Sequence, residues 1–207
     1  MVSVSCDLQG RLGNQLFQIA NVLSFCEDNN LRPVFPQIET SHNSRKYRNN
    51  IFRKLNSSQI DNAIIHTEES YFYNQINTKL DKNTMFSGYF QSYKYFSKHR
   101  DIILETFEPT DEIRSYIEQK YGHLLKDSTS LHVRRGDYLE LHEYYHNLLK
   151  SSYYANTMKD AASSNILVFS DNIQEVKKST LFRDKTVTFI EGEDEIIDFY
   201  LMSMCKN

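Results

Sequence analysis

Tryptophan is absent from this 207-residue chain, while Asn, Lys, Tyr, Phe and Ile are plentiful, a bias of nucleotide composition rather than of function. Cysteine is scarce. Cys6, Cys26 and Cys205 are far apart, odd in number and without metal-ligand spacing, so reduced, buried thiols in a cytoplasmic protein are expected. No apolar run is long enough to span a membrane; the best, residues 16–25, is broken by Gln18, Asn21 and Ser24. A basic-then-apolar leader is missing, so no signal peptide is expected. A strong excess of positive charge is missing too: the net charge of −3 gives no reason to expect nucleic acid. What remains is a chain long enough for one large domain or two small ones.

Hydrophobic periodicity gives two contrasting halves. Residues 2–8 read as a strand, 9–13 as a glycine-bounded turn, and 14–27 as a helix with Leu16, Ile19, Ala20, Leu23 and Cys26 on one stripe. Phe17, Val22 and Phe25 make that helix apolar nearly all round, so deep burial is expected. A second strand over 32–35 is framed by Pro33 and Pro36, residues 39–81 carry no readable period, and 84–89 form a short strand. Helical spacing returns over 93–107 and 111–125, punctuated by Pro109. From residue 128 the pattern is regular: strand 128–133, helix 152–162, strand 166–170, helix 173–182, strand 186–190 and helix 193–205. Such a βαβαβα series implies a parallel sheet with right-handed crossovers. The domain boundary is expected between Phe107 and Lys126, giving domains 1–110 and 111–207.

The most chemistry is carried where the 128–133 strand ends, in His132-Val133-Arg134-Arg135-Gly136-Asp137-Tyr138. Two adjacent guanidiniums at a strand's carboxyl end suit a diphosphate, because each fork chelates phosphate oxygens and neither loses its charge. Open α/β sheets bind their ligands at that end. Gly136 lets the backbone turn, and Asp137 can fix an arginine or accept from a ribose hydroxyl. Phe169-Ser170-Asp171-Asn172 closes the next strand. Asp171 there suits either a purine's N1–H and exocyclic amine, which selects guanine, or the cap of the following helix. Gly10-Arg11-Leu12-Gly13-Asn14-Gln15 joins the first strand to the first helix, where glycines permit close approach and N–H groups face an anion or sugar oxygen. It has neither a Walker lysine nor G-x-G-x-x-G spacing, and taken alone it reads as a turn glycine with a capping Asn14.

His142-Glu143-Tyr144-Tyr145-His146 fits the zinc-hydrolase pattern H-E-x-x-H. Against it, Leu149 and Ser152 stand where the extended motif has glycine and histidine, the next glutamate is Glu175, and the stretch lies in a polar loop. Arg135-Gly136-Asp137 is also an adhesion tripeptide, but it leaves a buried strand here. Tyr89, Tyr93, Tyr95 and Phe96 could stack on sugars, yet at helical spacing such residues read first as core.

Together, Gly10–Gln15 with the Leu-Phe-Gln-Ile-Ala that follows, Gly88-Tyr89-Phe90-Gln91-Ser92, His132–Tyr138, Phe169–Asp171 and the closing 198–207 segment resemble the alpha-1,2-fucosyltransferases of glycosyltransferase family 11. The resemblance implies a GT-B-like α/β architecture of two Rossmann-like halves. The N-terminal half would face the acceptor; the C-terminal half, an incomplete parallel sheet flanked by helices, would hold GDP-L-fucose. By that resemblance Arg134 grips the pyrophosphate with Arg135 beside it, His132 and Asp137 support phosphate and ribose, and Asp171 reads guanine. Arg11, Gly13 and Asn14 would lie across the interdomain cleft, near the phosphates or the acceptor.

The implied reaction is inverting transfer of fucose to a galactoside hydroxyl without a metal. Two arginines do the neutralisation that Mg²⁺ does elsewhere, in keeping with the lack of an Asp-x-Asp motif. Glu140, His142 and Glu143 follow the arginine turn closely enough to supply a general base. The implied partners are GDP-fucose and a galactose-containing glycan, with peripheral association at a membrane; no feature of the chain sets an oligomeric state. Family members continue with an Asn-Ser-(Ser/Thr)-Phe-Ser-Trp-Trp segment, whereas this chain ends at Asn207. A C-terminally truncated member with weakened donor binding is therefore expected. A non-catalytic nucleotide-sugar or glycan-binding remnant is the alternative to an enzyme.

Overall fold

The computed structural model describes residues 1–77, 79–136, 152–160, 165–183 and 186–207. Its first unit, Met1–Pro109, is built on β1 (Ser3–Cys6), whose Val4, Ser5 and Cys6 are buried. β2 (Arg32–Pro33), β3 (Ile64–Thr67) and β4 (Thr84–Ser87) complete a sheet in the order β2-β1-β4-β3. All pairings are parallel, with Val4 opposite Pro33 and Thr84, and Cys6 opposite Phe86.

The helix α1 (Leu12–Asn29) packs on β1 and β2. Ile19, Val22 and Phe25 are buried, and Phe25 meets Phe86 edge-on at 5.2 Å between centroids. The buried face is not purely apolar: Gln15, Gln18, Asn21 and Ser24 are buried while Leu16 and Leu23 are half-buried. Two of these amides have a clear task. Gln18 Oε1 accepts the Gln9 N–H at 3.0 Å and its Nε2 donates to the Gln9 carbonyl, while Gln15 Nε2 donates to the Gly10 carbonyl at 3.1 Å. They satisfy backbone groups of the strand–helix turn from the buried side. The helix ends at Asn30 in the left-handed region, φ 53°, with its N–H bonded to the Cys26 carbonyl.

The aperiodic stretch contains more order than its sequence suggests. It holds β3, the second half of the one-turn helix α2 (Gln37–Thr40), the one-turn helix α3 (His42–Arg45), and a local core of Tyr47, Ile51 and Phe52. The span read as one helix over 93–107 is two 3-10 turns, Tyr93–Tyr95 and Ser97–His99, before α4 (Arg100–Thr106). Lys98 and His99 both bond Asp28 at the end of α1, so a tertiary tie overrides the helical period and holds the Asp28 carboxyl below its usual range. Tyr95 and Phe96 pack on Phe90 and Phe17, but Tyr93 is 65% exposed and is not core.

The second unit, Thr110–Asn207, opens with α5 (Asp111–Leu125), whose first turn is capped by Thr110 Oγ1 and carries Asp111 and Glu112. β5 (Ser128–His132), β6 (Asn165–Phe169) and β7 (Val187–Phe189) form a parallel sheet in that order. β6 is central, and Ile166 to Phe169 are all buried, the continuous apolar run of a strand covered on both faces. Leu131, Val133, Ile166 and Val168 pack with Tyr154 and Met158 of α6 (Tyr153–Asp160), Val176 of α7 (Ile173–Lys177) and Phe182. The helix read over 173–182 breaks at Ser179 into α7 and a 3-10 turn, Thr180–Phe182.

The last helix, α8 (Glu195–Met204), is capped by Asp194, which accepts the Ile196 and Ile197 N–H groups at 2.9 Å. It buries Tyr200 and Leu201 and packs on α5 and β5. Just before it, the Glu193 carboxylate accepts from Tyr116, Lys120 and Tyr121, tying this end of the unit to α5. The Asn207 backbone pairs with Ser128 and Ser130 along β5.

Burial raises the thiols of Cys6 and Cys26, the latter to about 12, so both are inert; Cys205, expected to be buried, is half-buried. Among the described residues, no helix is long and apolar enough to cross a membrane.

Candidate functional site

The carboxyl ends of β5 and β6 hold the arginine turn between them. The β5–β6 ladder runs one residue past the strand, the Val133 N–H donating to the Phe169 carbonyl at 2.8 Å. The Val133 carbonyl then accepts from Ser170 Oγ at 2.6 Å, and Ser170 Oγ accepts the Asn172 N–H at 3.0 Å. One residue further, the Arg135 N–H donates to Asp171 Oδ1 at 2.7 Å. At Gly136 a side chain would crowd Asp171 for space rather than strain φ. A Cβ there would stand 2.6 Å from Asp171 Oδ2.

Arg134 and Arg135 are half-buried on this turn, and Asp171 is exposed. His132 ends β5 with its carbonyl accepting from Tyr154 of α6 at 3.2 Å. Its imidazole is pushed below the usual histidine range by desolvation and by the Arg134 charge, with Asp171 pulling the other way. The structure therefore brings His132, Arg134, Arg135, Gly136 and Asp171 together at the carboxyl edge of one parallel sheet, where a pair of cations on an anchored backbone can meet a polyanion. The helix cap here is Asn172, whose side chain accepts the Glu175 N–H, and not Asp171. Asp137, Glu140, His142 and Glu143, together with the whole H-E-x-x-H stretch, lie outside the described residues.

Arg11, Gly13 and Asn14 belong to the first unit, at the start of α1. The N-cap is Arg11, with no side-chain cap bond, and Asn14 sits inside the first turn rather than capping it. Gly10 takes φ +72°, and its Cβ position is filled by the Asn14 amide. Asn14 Oδ1 accepts from Gln91 Nε2 at 2.6 Å, so the turn after β1 and the turn after β4 meet through these two amides. Gly13 has open space where a Cβ would stand. Behind Gln91, the Glu68 carboxylate accepts the N–H groups of Tyr89 and Phe90 at 2.8 and 2.9 Å and crowds the Cβ position of Gly88, φ +151°.

Residue patterns alone missed Ser170, Glu68 and the Asn14–Gln91 bond. A serine after a strand reads as any turn residue, and a glutamate in an aperiodic stretch has no signal at all. Among the described residues no group of three or more His, Cys, Asp or Glu side chains could hold a metal ion.

The chain matches the family model described as glycosyl transferase family 11 over residues 2–207. It is 31% identical over 148 residues to the alpha-1,2-colitosyltransferase of Escherichia coli, a match covering 67% of this chain and 51% of that protein. The chain spans about half the length of the curated relatives it matches. Among solved structures, the fucosyltransferase NodZ from Bradyrhizobium superposes with a TM-score of 0.58 at 13% identity, covering 99% of this chain and 86% of that one. POFUT1 in complex with GDP superposes with a TM-score of 0.52 at 14% identity, covering 99% and 88%. At such identities the likeness is one of fold, a GT-B-like α/β chain with two parallel sheets.

Proposed function

The chain belongs to glycosyltransferase family 11, and from that premise we propose that it transfers L-fucose from GDP-fucose to a hydroxyl of a galactose-containing glycan, in α1,2 linkage. The observation that carries this reading is the arginine turn, whose backbone is held on both sides of Arg134 at the carboxyl ends of β5 and β6. Arg134 and Arg135 hold the donor's pyrophosphate, and His132 lies beside it.

The acceptor oxygen attacks the anomeric carbon from the face opposite GDP. The C–O bond to the β-phosphate breaks, and the anomeric configuration inverts. Negative charge grows on the departing β-phosphate, and the two guanidiniums stabilise it, the largest catalytic contribution these residues offer. A carboxylate or imidazole takes the acceptor's proton; Glu140, His142 and Glu143 are the candidates nearest in sequence to the turn.

A second reading concerns the donor sugar. The Escherichia coli relative is an alpha-1,2-colitosyltransferase, so a related deoxysugar on the same nucleotide is a rival substrate. One experiment tests both: purified chain is incubated with GDP-fucose or GDP-colitose and a panel of galactose-terminated acceptors, and products are analysed for linkage. A fucosyl-α1,2-galactoside supports the proposal. Turnover of GDP-colitose alone moves it to the second reading. Donor binding with no product from either leaves a binding remnant.

A further inference from the structure

We propose that Asp171 is a positioning residue for the arginine turn, its carboxylate setting where Arg134 and Arg135 stand when a pyrophosphate binds. This rests on the reading above that the turn is the pyrophosphate site. The geometry is specific. Asp171 Oδ1 is bonded to the Arg135 N–H at 2.7 Å, and Oδ2 lies in the space that only glycine at 136 leaves open. Ser170, the preceding residue, bonds the Val133 carbonyl at 2.6 Å. Two consecutive side chains at the end of β6 thus grip the backbone on both sides of Arg134. An anion site made of two long side chains gains most when their backbone origin is fixed, since less freedom remains to be lost on binding. A carboxylate reading guanine needs both oxygens turned to the base, whereas here both are turned to the Arg135–Gly136 backbone.

The test compares two neutral substitutions, so that charge near the anion is equal in both. Asp171→Asn keeps an oxygen that can accept the Arg135 N–H; Asp171→Ala removes it. Binding of inorganic pyrophosphate, GDP and UDP is measured by calorimetry for each variant. Asp171→Ala is expected to bind all three about fivefold more weakly than Asp171→Asn, with the same ratio whatever the base and with unchanged melting. Gly136→Ala, which crowds Asp171 Oδ2 but keeps its charge, is compared with the unsubstituted chain and is expected to bind all three more weakly. Equal pyrophosphate affinity in the Asn and Ala variants overturns the proposal. So does a loss confined to GDP, which makes Asp171 a base reader.

If the unsubstituted chain binds no pyrophosphate at all, the functional reading fails separately. The positioning claim is then judged on hydrogen exchange of the Arg135 amide. Faster exchange in Asp171→Ala than in Asp171→Asn upholds it, and equal exchange overturns it.

Discussion

Arg134 sits one residue from two backbone anchors, and its charge is felt by His132, whose protonation is a direct reporter on the turn. His132 titrates below the ordinary histidine value because desolvation and Arg134 disfavour the imidazolium, while Asp171 favours it. Removing Arg134 with Arg134→Ala should move the His132 midpoint up, and Asp171→Asn should move it down, both read by NMR titration. Identical midpoints in all three proteins would mean that the side chains do not converge. The sign for stability follows. A folded pKa below the unfolded one means that the folded state binds fewer protons, so this contribution is present above the unfolded value. It is lost as pH falls through the folded one. The arginine pair and Asp171 were visible in the sequence because adjacent cations and a carboxylate at strand ends are unusual. The division of labour between Asp171 and Asn172 was not, since both residues cap helices and only the backbone geometry decides which one does.

The helices show where periodicity informs and where it misleads. α5 was readable to the residue, because Thr110, two acids and a regular apolar spacing agree. α1 was found, but its buried glutamines were not, since a hydrophobic pattern cannot register a polar side chain whose partner is the backbone of a neighbouring turn. In α8 the polar feature is Asp198, whose Oδ1 is buried with no hydrogen-bond partner. Burial raises its carboxyl to about 6, helped by the charges of Glu193 and Asp194. A folded pKa above the unfolded one stabilises the protonated form: the contribution is complete below about pH 4 and is lost as pH rises through about 6. Asp198→Asn should therefore stabilise the chain at pH 7 by about 1 kcal/mol, with the gain vanishing near pH 4, in urea titrations at the two pH values. An unchanged or lower stability at pH 7 would show that Asp198 ionises without cost.

Across the molecule, the second unit was legible and the first only in part. A strand covered on both faces carries its own signature, and Ile166 to Phe169 announce the central strand of the β5-β6-β7 sheet. In the first unit, β2 is two residues long and β3 exposes Ile64 and Ile65, so neither bears the alternation that would reveal the order β2-β1-β4-β3. Tyr47, Ile51 and Phe52 build a local core without regular structure, which no period can show. What both units share is a parallel sheet whose carboxyl-end turns carry the motif residues. The most direct measurement is calorimetric titration of GDP into the unsubstituted chain and into Arg134→Ala. Saturable binding that weakens at least about thirtyfold in the variant, at unchanged melting temperature, is the expected result. Equal affinity in the two proteins, or no binding of GDP to the unsubstituted chain, would contradict a pyrophosphate site at the arginine turn.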